Sequence, residues 1–217
     1  MVVPTAVSVP SRRLDLGRLV MVPLATLMLI AGAMVLRQPS DAGTLRWIGT
    51  ALVAVFYVVI IWAYLRRGPA KATGTSVVAH AAAIVATLTP FAFPLLTRGS
   101  GGVGRLLIAV VLLVCGSAWS VWSLWTLGRN LSIIAQARDV VEHGPYRWVR
   151  HPLYTGEIVS SLGLAIAADN LAAGGVWLIL VGLQVYRARR EERVLVDTLP
   201  AYTSYRTRTA ALLPGVF

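Results

Sequence analysis

Apolar residues run along this chain in long blocks, without the alternation of a strand or the one-sided stripe of a soluble helix. Residues 19–36, 45–65, 76–96 and 106–127 form four such blocks, each close to or beyond the ~20 residues that cross a bilayer's hydrocarbon core. A fifth block, from about residue 152 to 186, is interrupted only by Asp169-Asn170. That interruption predicts two helical arms, 153–169 and 171–187, folded back on each other at Asn170. At 1.5 Å rise per residue each arm is ~25 Å long, enough to cross or nearly cross the core. Short polar connections rich in turn formers, such as 37–44 and 97–104, force neighbouring helices to run antiparallel. The expected fold is all-α: a polytopic transmembrane helical bundle of about four spans plus a C-terminal membrane helical hairpin. Pro90 and Pro94 should kink the third span or end it early.

Composition agrees. The chain is 57% hydrophobic and only 13% charged, where soluble domains carry about 25% charged residues. Its net charge of +11 raises the question of nucleic acid, and the placement of the charge answers it. With the N-terminus in the cytoplasm and the chain threading alternately, sixteen of the twenty basic residues fall inside. Only Arg37, Arg46, Arg98 and Arg105 fall outside. This is the positive-inside pattern of a membrane protein facing anionic lipid, and no nucleic-acid partner is needed to explain it. Nineteen arginines to one lysine and abundant alanine suggest a high-GC bacterium, hence the inner (cytoplasmic) membrane.

The N-terminus mimics a secretory leader, with Arg12, Arg13 and Arg18 before an apolar run and Ala31-Gly32-Ala33. The run continues through Leu36, so it reads as a retained first span. Cys115 lies mid-span and is read as a small core residue. No Cys/His cluster has metal-ligand spacing, and no metal is expected. Trp119, Trp122 and Trp125 recur every three residues, as an aromatic belt or a packing face does. His80 sits one turn inside the third block with no apparent partner.

One stretch is unlike the rest. GPYRWVRHPLYTGE, residues 144–157, gathers two arginines, a histidine, two tyrosines and a glutamate around two prolines. Gly144-Pro145 sets a turn, and Pro152 suits the first position of the next helix. A helix start beside Arg150 can receive a carboxylate or phosphate. Tyr146, Trp148, His151 and Tyr154 offer aromatic faces that suit a cationic centre. An anion receptor beside such faces matches S-adenosylmethionine, which carries a carboxylate and a sulfonium. The hairpin brings this stretch beside a second charged one, Arg187-Ala-Arg-Arg-Glu-Glu-Arg193. On a helix Arg187 and Glu191 share a face. A solvated, salt-bridged helix end would explain that segment alone; beside the first it is a candidate ligand site.

These residues carry a resemblance. LGRN (127–130), GPYRWVRHPLYTG (144–156), EERVL (191–195), Tyr202, Tyr205 and LLPG (212–215) together resemble the isoprenylcysteine carboxyl methyltransferase (ICMT) family of integral membrane methyltransferases, related to the phospholipid methyltransferases. The resemblance covers roughly residues 125–217, so residues 1–127 are expected to form N-terminal transmembrane spans on the lipophilic-substrate side and 128–217 an ICMT-like catalytic region with a cytosolic tail. It implies S-adenosylmethionine bound at the cytosolic face, with S-adenosylhomocysteine as product, and carboxyl O-methyltransferase-like transfer to a small lipophilic acceptor, an isoprenylcysteine-type carboxylate or similar, entering from the bilayer. It implies cofactor contacts from Tyr146, Arg150, His151, Tyr154 and Glu191, with backbone near Gly144, and places Arg187 and Glu192 near the transfer centre. Two positions depart from the family pattern: Arg138 where histidine is frequent, and Leu199-Pro200 where phenylalanine-glycine is usual. Both bear on the acceptor more than on the cofactor.

In-line methyl transfer from a sulfonium needs alignment and exclusion of water more than acid–base help. A carboxylate acceptor needs only an arginine to aim it, whereas an amine or phenol needs a proton acceptor, for which His151 and Glu192 are candidates. Two other readings compete. Membrane sterol reductases have a related C-terminal segment and use NADPH, but they are larger and lack the short EE-containing tail. A non-enzymatic membrane protein binding lipid headgroups at the charged hairpin mouth is the other.

Overall fold

The computed structural model describes residues 16–36, 43–66, 72–73, 77–96, 102–128, 136–137 and 140–214. Among the described residues eight α-helices follow one another: α1 (Leu16–Leu36), α2 (Gly43–Arg66), α3 (Val77–Leu88), α4 (Phe93–Leu96), α5 (Val103–Leu127), α6 (Pro152–Ala168), α7 (Leu171–Thr198) and α8 (Pro200–Arg208). A two-residue antiparallel pair, β1 (Ala72–Thr73) with β2 (Gln136–Ala137), is the strand content of the described residues. The fold is the expected helical membrane bundle. Both α5 and α7 are long and apolar enough to cross a bilayer by themselves, and α1 and α2 have 21 and 24 residues. Leu19, Leu27, Val55, Val58, Leu107, Val111, Leu178 and Ile179 stand exposed on their outer faces, an apolar surface suited to lipid.

The third block breaks where its prolines predict. α3 gives way to a 3-10 turn at Thr89–Ala92, with Pro90 in its first positions, before the single turn of α4. The hairpin also forms as expected. Asp169 adopts a left-handed conformation (φ 54°), and Asn170 caps α7 by accepting from Ala173 N at 2.9 Å. Asn170 also donates to the carbonyl of Leu96, fastening the turn to α4. At this same end Arg105 pairs with Asp169. α7 then runs unbroken for 28 residues, so the apolar hairpin arm and the charged RARREER segment are one rigid rod.

Three glycines allow α5 and α6 to lie nearly backbone to backbone. A Cβ on Gly156 would stand 2.8 Å from the Gly116 carbonyl and collide with the Ser120 hydroxyl. One on Gly163 would meet Leu113 N at 2.9 Å, and Gly116 faces the Ser160 backbone. In a bilayer, where lipid is as apolar as leucine, such small-residue contact is what drives helix association. The glycine of the RHPLYTG run is therefore a packing residue. On the other side of α5, Met21, Ala25, Val59, Ile60, Ala63 and Tyr64 from α1 and α2 close a core around Leu124.

Candidate active site

The polar cluster is built at the end of the bundle where α5 and α7 finish and α6 begins. Gly144 takes a left-handed φ of 60°, and a Cβ there would also meet Thr126 Oγ1 at 2.8 Å; only glycine fits. The 3-10 turn Gly144–Arg147 that follows buries Pro145 and Tyr146. The chain then runs extended beside the tail. Val149 and Ala210 form a parallel bridge, Arg150 N donates to Ala210 O at 2.8 Å, and His151 N donates to Ala211 O at 3.0 Å. Thr155 Oγ1 reaches Leu212 O at 2.9 Å, and Tyr205 Oη donates to Tyr146 O at 2.6 Å. The tyrosine pair and LLPG of the tail are thus stitched to the GPY and RHP segments.

Side chains converge on the two glutamates of α7. Arg150 Nε donates to Glu192 Oε1 at 2.6 Å, and its Nη1 to the carbonyls of Arg206, at 3.0 Å, and Thr209. His151, 6% exposed, sets Nε2 3.3 Å from Glu192 Oε1 and Nδ1 3.6 Å from Glu191 Oε2. Burial alone would lower its pKa, but the hydrogen bonds and charges of Glu191 and Glu192 outweigh burial and raise it above the ordinary histidine value. With a carboxylate facing each ring nitrogen, the imidazolium is the form that satisfies both. Tyr154 stacks on His151 with ring centroids 5.4 Å apart and donates its hydroxyl to Glu191 Oε1. Burial, with Glu191 and Tyr205 nearby, raises Tyr146 far above the usual phenol range, and Tyr205 is pushed up to about 12, chiefly by burial; both remain neutral hydrogen-bonding groups.

The structure therefore brings Tyr146, Arg150, His151, Tyr154, Glu191 and Glu192 into one cluster, with Gly144 setting the turn that leads into it. Arg187 is separate. One turn further back on α7 it turns into the bundle, 6% exposed, with its guanidinium 4.5 Å from the centre of the Tyr154 ring. It lines an intramembrane cavity of about 150 Å³ whose walls include Met21, Leu24, Leu113, Leu153 and Leu164. Two residues to which the sequence reading gives no role share that end of the cavity. Glu157, on α6, accepts from Gln184 Nε2, and Gln184 Oε1 in turn accepts from Arg187 Nη1 at 3.0 Å. The signal for Glu157 is in the sequence: an ionisable group one turn inside an apolar helix invites a functional explanation. Gln184 shows as a polar residue in the apolar run of α7, but its pairing needs the hairpin register.

Trp125 stacks on Trp62 of α2 at 5.1 Å, and Trp119 and Trp122 both contact Trp148. The tryptophan series is thus a packing face that braces the WVRHP segment. Arg129, Asn130 and Arg138, and the side chain of His80, lie outside the described residues. Among the described residues no group of His, Cys, Asp and Glu has the makings of a metal site.

Comparison with known proteins meets this geometry at the same segments. Residues 104–200, from the start of α5 into α8, match the family model described as phospholipid methyltransferase. Over that stretch the chain is similar to the phospholipid methyltransferases. Its fold is similar to that of the eukaryotic intramembrane Ras methyltransferase ICMT, with a TM-score of 0.52 over 89% of this chain and 74% of that one. At 20% identity the likeness to ICMT is one of fold. Two curated relatives are the cobalt-zinc-cadmium resistance protein CzcN of Cupriavidus metallidurans, 31% identical, and the nickel-cobalt-cadmium resistance protein NccN of Alcaligenes xylosoxydans xylosoxydans, 27% identical. Each matches over 55% of this chain, which spans 65% and 66% of their lengths, just under two thirds. The ICMT-like resemblance read from RHPLYTG and EERVL holds.

Proposed function

We propose that this protein is an S-adenosylmethionine-dependent methyltransferase. It acts on a small lipophilic acceptor at the membrane–cytosol interface, in the cytoplasmic membrane of a bacterium, with its N-terminus and site on the cytosolic side. The observation that carries this reading is a shared wall. Tyr154 belongs to the polar cluster through Glu191 and touches Arg187, and Arg187 lines the apolar cavity. A water-borne charged ligand and a bilayer-borne apolar one can thus be held on the two sides of one residue pair.

The cluster's chemistry fits the methyl donor. Glu191 is partly exposed, its side chain 19% accessible, and is a partner for an ammonium. His151, as imidazolium, is a partner for a carboxylate, and the Tyr146, His151 and Tyr154 rings suit a sulfonium. The Tyr202 hydroxyl, 3% exposed, is buried without a hydrogen-bond partner among the described residues, as a group awaiting a ligand would be. Bound there, S-adenosylmethionine supplies an electrophilic methyl group. The chain's own work is to hold Tyr154 and Arg187 rigidly through the α6–α7 hairpin, to exclude water with buried aromatic rings, and to aim the acceptor. Arg150 serves as the clamp joining α7 to the tail, since its described bonds go to Glu192 and to two tail carbonyls.

Calorimetry of S-adenosylhomocysteine on the detergent-purified protein tests the reading. Wild type should bind, Glu191→Ala and Tyr154→Phe should bind at least about tenfold more weakly, and NADPH should not compete. A folded wild type that binds NADPH in preference would establish the reductase alternative.

A further inference from the structure

The cavity behind Tyr154 has its own selectivity written into it. We propose that it binds an uncharged X–H headgroup, an alcohol or thiol on a small lipophilic molecule, with Glu157 accepting the X–H hydrogen bond. This deepens the methyltransferase reading, on which it rests only in naming that ligand as the methyl acceptor. Carboxylate chemistry, the simplest acceptor for an arginine-lined site, fits this chamber poorly.

Three observations carry the inference. Arg187 and Glu157 both line the chamber and are joined through Gln184, itself fully buried. One positive and one negative charge already compensate each other across that amide. A carboxylate entering to reach Arg187 would lie beside Glu157, and an ammonium drawn to Glu157 would lie beside Arg187; in an apolar surround either leaves an uncompensated charge. A neutral X–H group adds no charge and gives the Glu157 carboxylate, which has only one described donor, a second.

Ser120 supplies the second observation. It is 2% exposed, its Oγ has no hydrogen-bond partner among the described residues, and it lines the same cavity. That hydroxyl lies against Gly156 in the α5–α6 seam, and a change of side-chain rotamer would turn it toward a bound heteroatom that donates to Glu157. Size is the third. About 150 Å³ is the scale at which an apolar protein cavity holds one benzene-sized molecule. The rest of the lining is mainly apolar, with hydroxyl groups from Tyr57, Tyr64 and Thr87 among it, so the remainder of the ligand is expected to be mainly apolar.

The test is binding to the donor-free protein in lipid nanodiscs, with empty nanodiscs subtracted. Five probes share one scaffold: toluene, benzyl alcohol, benzyl mercaptan, benzylamine and benzoate. Benzyl alcohol or benzyl mercaptan should bind about tenfold or more tightly than toluene, benzylamine and benzoate, and the better of the two identifies the heteroatom. Glu157→Gln should erase most of that preference. Leu113→Phe, which fills the chamber without touching its charges, should abolish binding of all five, so failure of one variant to fold leaves the other to decide. Benzoate or benzylamine binding as tightly as the neutral probes would overturn the proposal, as would wild-type affinity in Leu113→Phe or no probe binding at all. S-adenosylhomocysteine titrated into the same samples separates the two readings: retained binding with no probe selectivity rejects the chamber assignment alone, and lost binding with intact selectivity rejects the donor site alone.

Discussion

Arg150 and His151 are neighbours in sequence with different work. Arg150 is nearly buried and divides its donors among Glu192, Arg206 O and Thr209 O, so removing it takes from the buried Glu192 its closest partner, leaving His151 and Arg206, and frees the tail. Arg150→Ala should destabilise the folded protein by about 3 kcal/mol, read as an earlier midpoint in detergent-titrated unfolding. Arg150→Lys should recover little, because a single ammonium cannot reach all three acceptors. His151 carries a pH signature. Its folded pKa lies above the ordinary 6.5 because Glu191 and Glu192 hold the imidazolium. The stabilisation is therefore complete below about pH 6.5 and is lost as pH rises through the folded value. Thermal midpoints from pH 5.5 to 8.5 should fall more steeply on the alkaline side for wild type than for His151→Asn, and equal slopes would remove the ion cluster from the account.

Helix pairing is the level at which the hairpin and the glycine seam act. Gly156→Ala forces a Cβ against Ser120 and the Gly116 carbonyl, an overpacking that should cost about 1–3 kcal/mol, whereas Gly174→Ala, with open space at its Cβ, should be neutral or slightly stabilising. The pair of variants, compared by thermal unfolding, separates close approach from a general dislike of substituting glycine. Asn170→Ala removes the α7 cap and the tie to Leu96 and should cost about 1 kcal/mol. At this scale much was legible. Apolar block length gave the spans, Pro90 marked the break after α3, and Asp169-Asn170 marked the turn. The α5–α6 seam was not legible, because GxxxS and YTG patterns become a contact only once two helices are set in register. The same holds for Glu157 and Gln184, 27 residues apart: each is visible as a polar residue in an apolar run, but their meeting depends on how the hairpin arms align.

Seen whole, the bundle has a polar end and an opposite end, and they are built differently. The polar end is tied by the tail, Arg150 and the Glu191–Glu192 pair; the opposite end is closed by Arg105–Asp169 and the Asn170 turn. Basic residues crowd the polar end, and by the positive-inside pattern the orientation proposed above puts that end in the cytosol. With the lone Cys115 replaced by serine, Arg206→Cys should react with a membrane-impermeant maleimide only in inside-out vesicles, and labelling of intact spheroplasts would reverse the orientation. RHPLYTG and EERVL were readable as one site because a hairpin of equal arms must bring its two open ends together, while Arg187 parted from Glu192 because five residues on a helix turn a side chain away from its neighbour's face. Divergence along the α5–α6 seam has to be concerted: a lineage that gives position 156 a side chain must also shrink position 120 or displace α5. Since Ser120 also lines the cavity proposed to hold the acceptor, drift in the most packed part of the bundle would, on that proposal, at the same time be drift in what the protein accepts, and new specificities could arise from substitutions first tolerated as packing repairs.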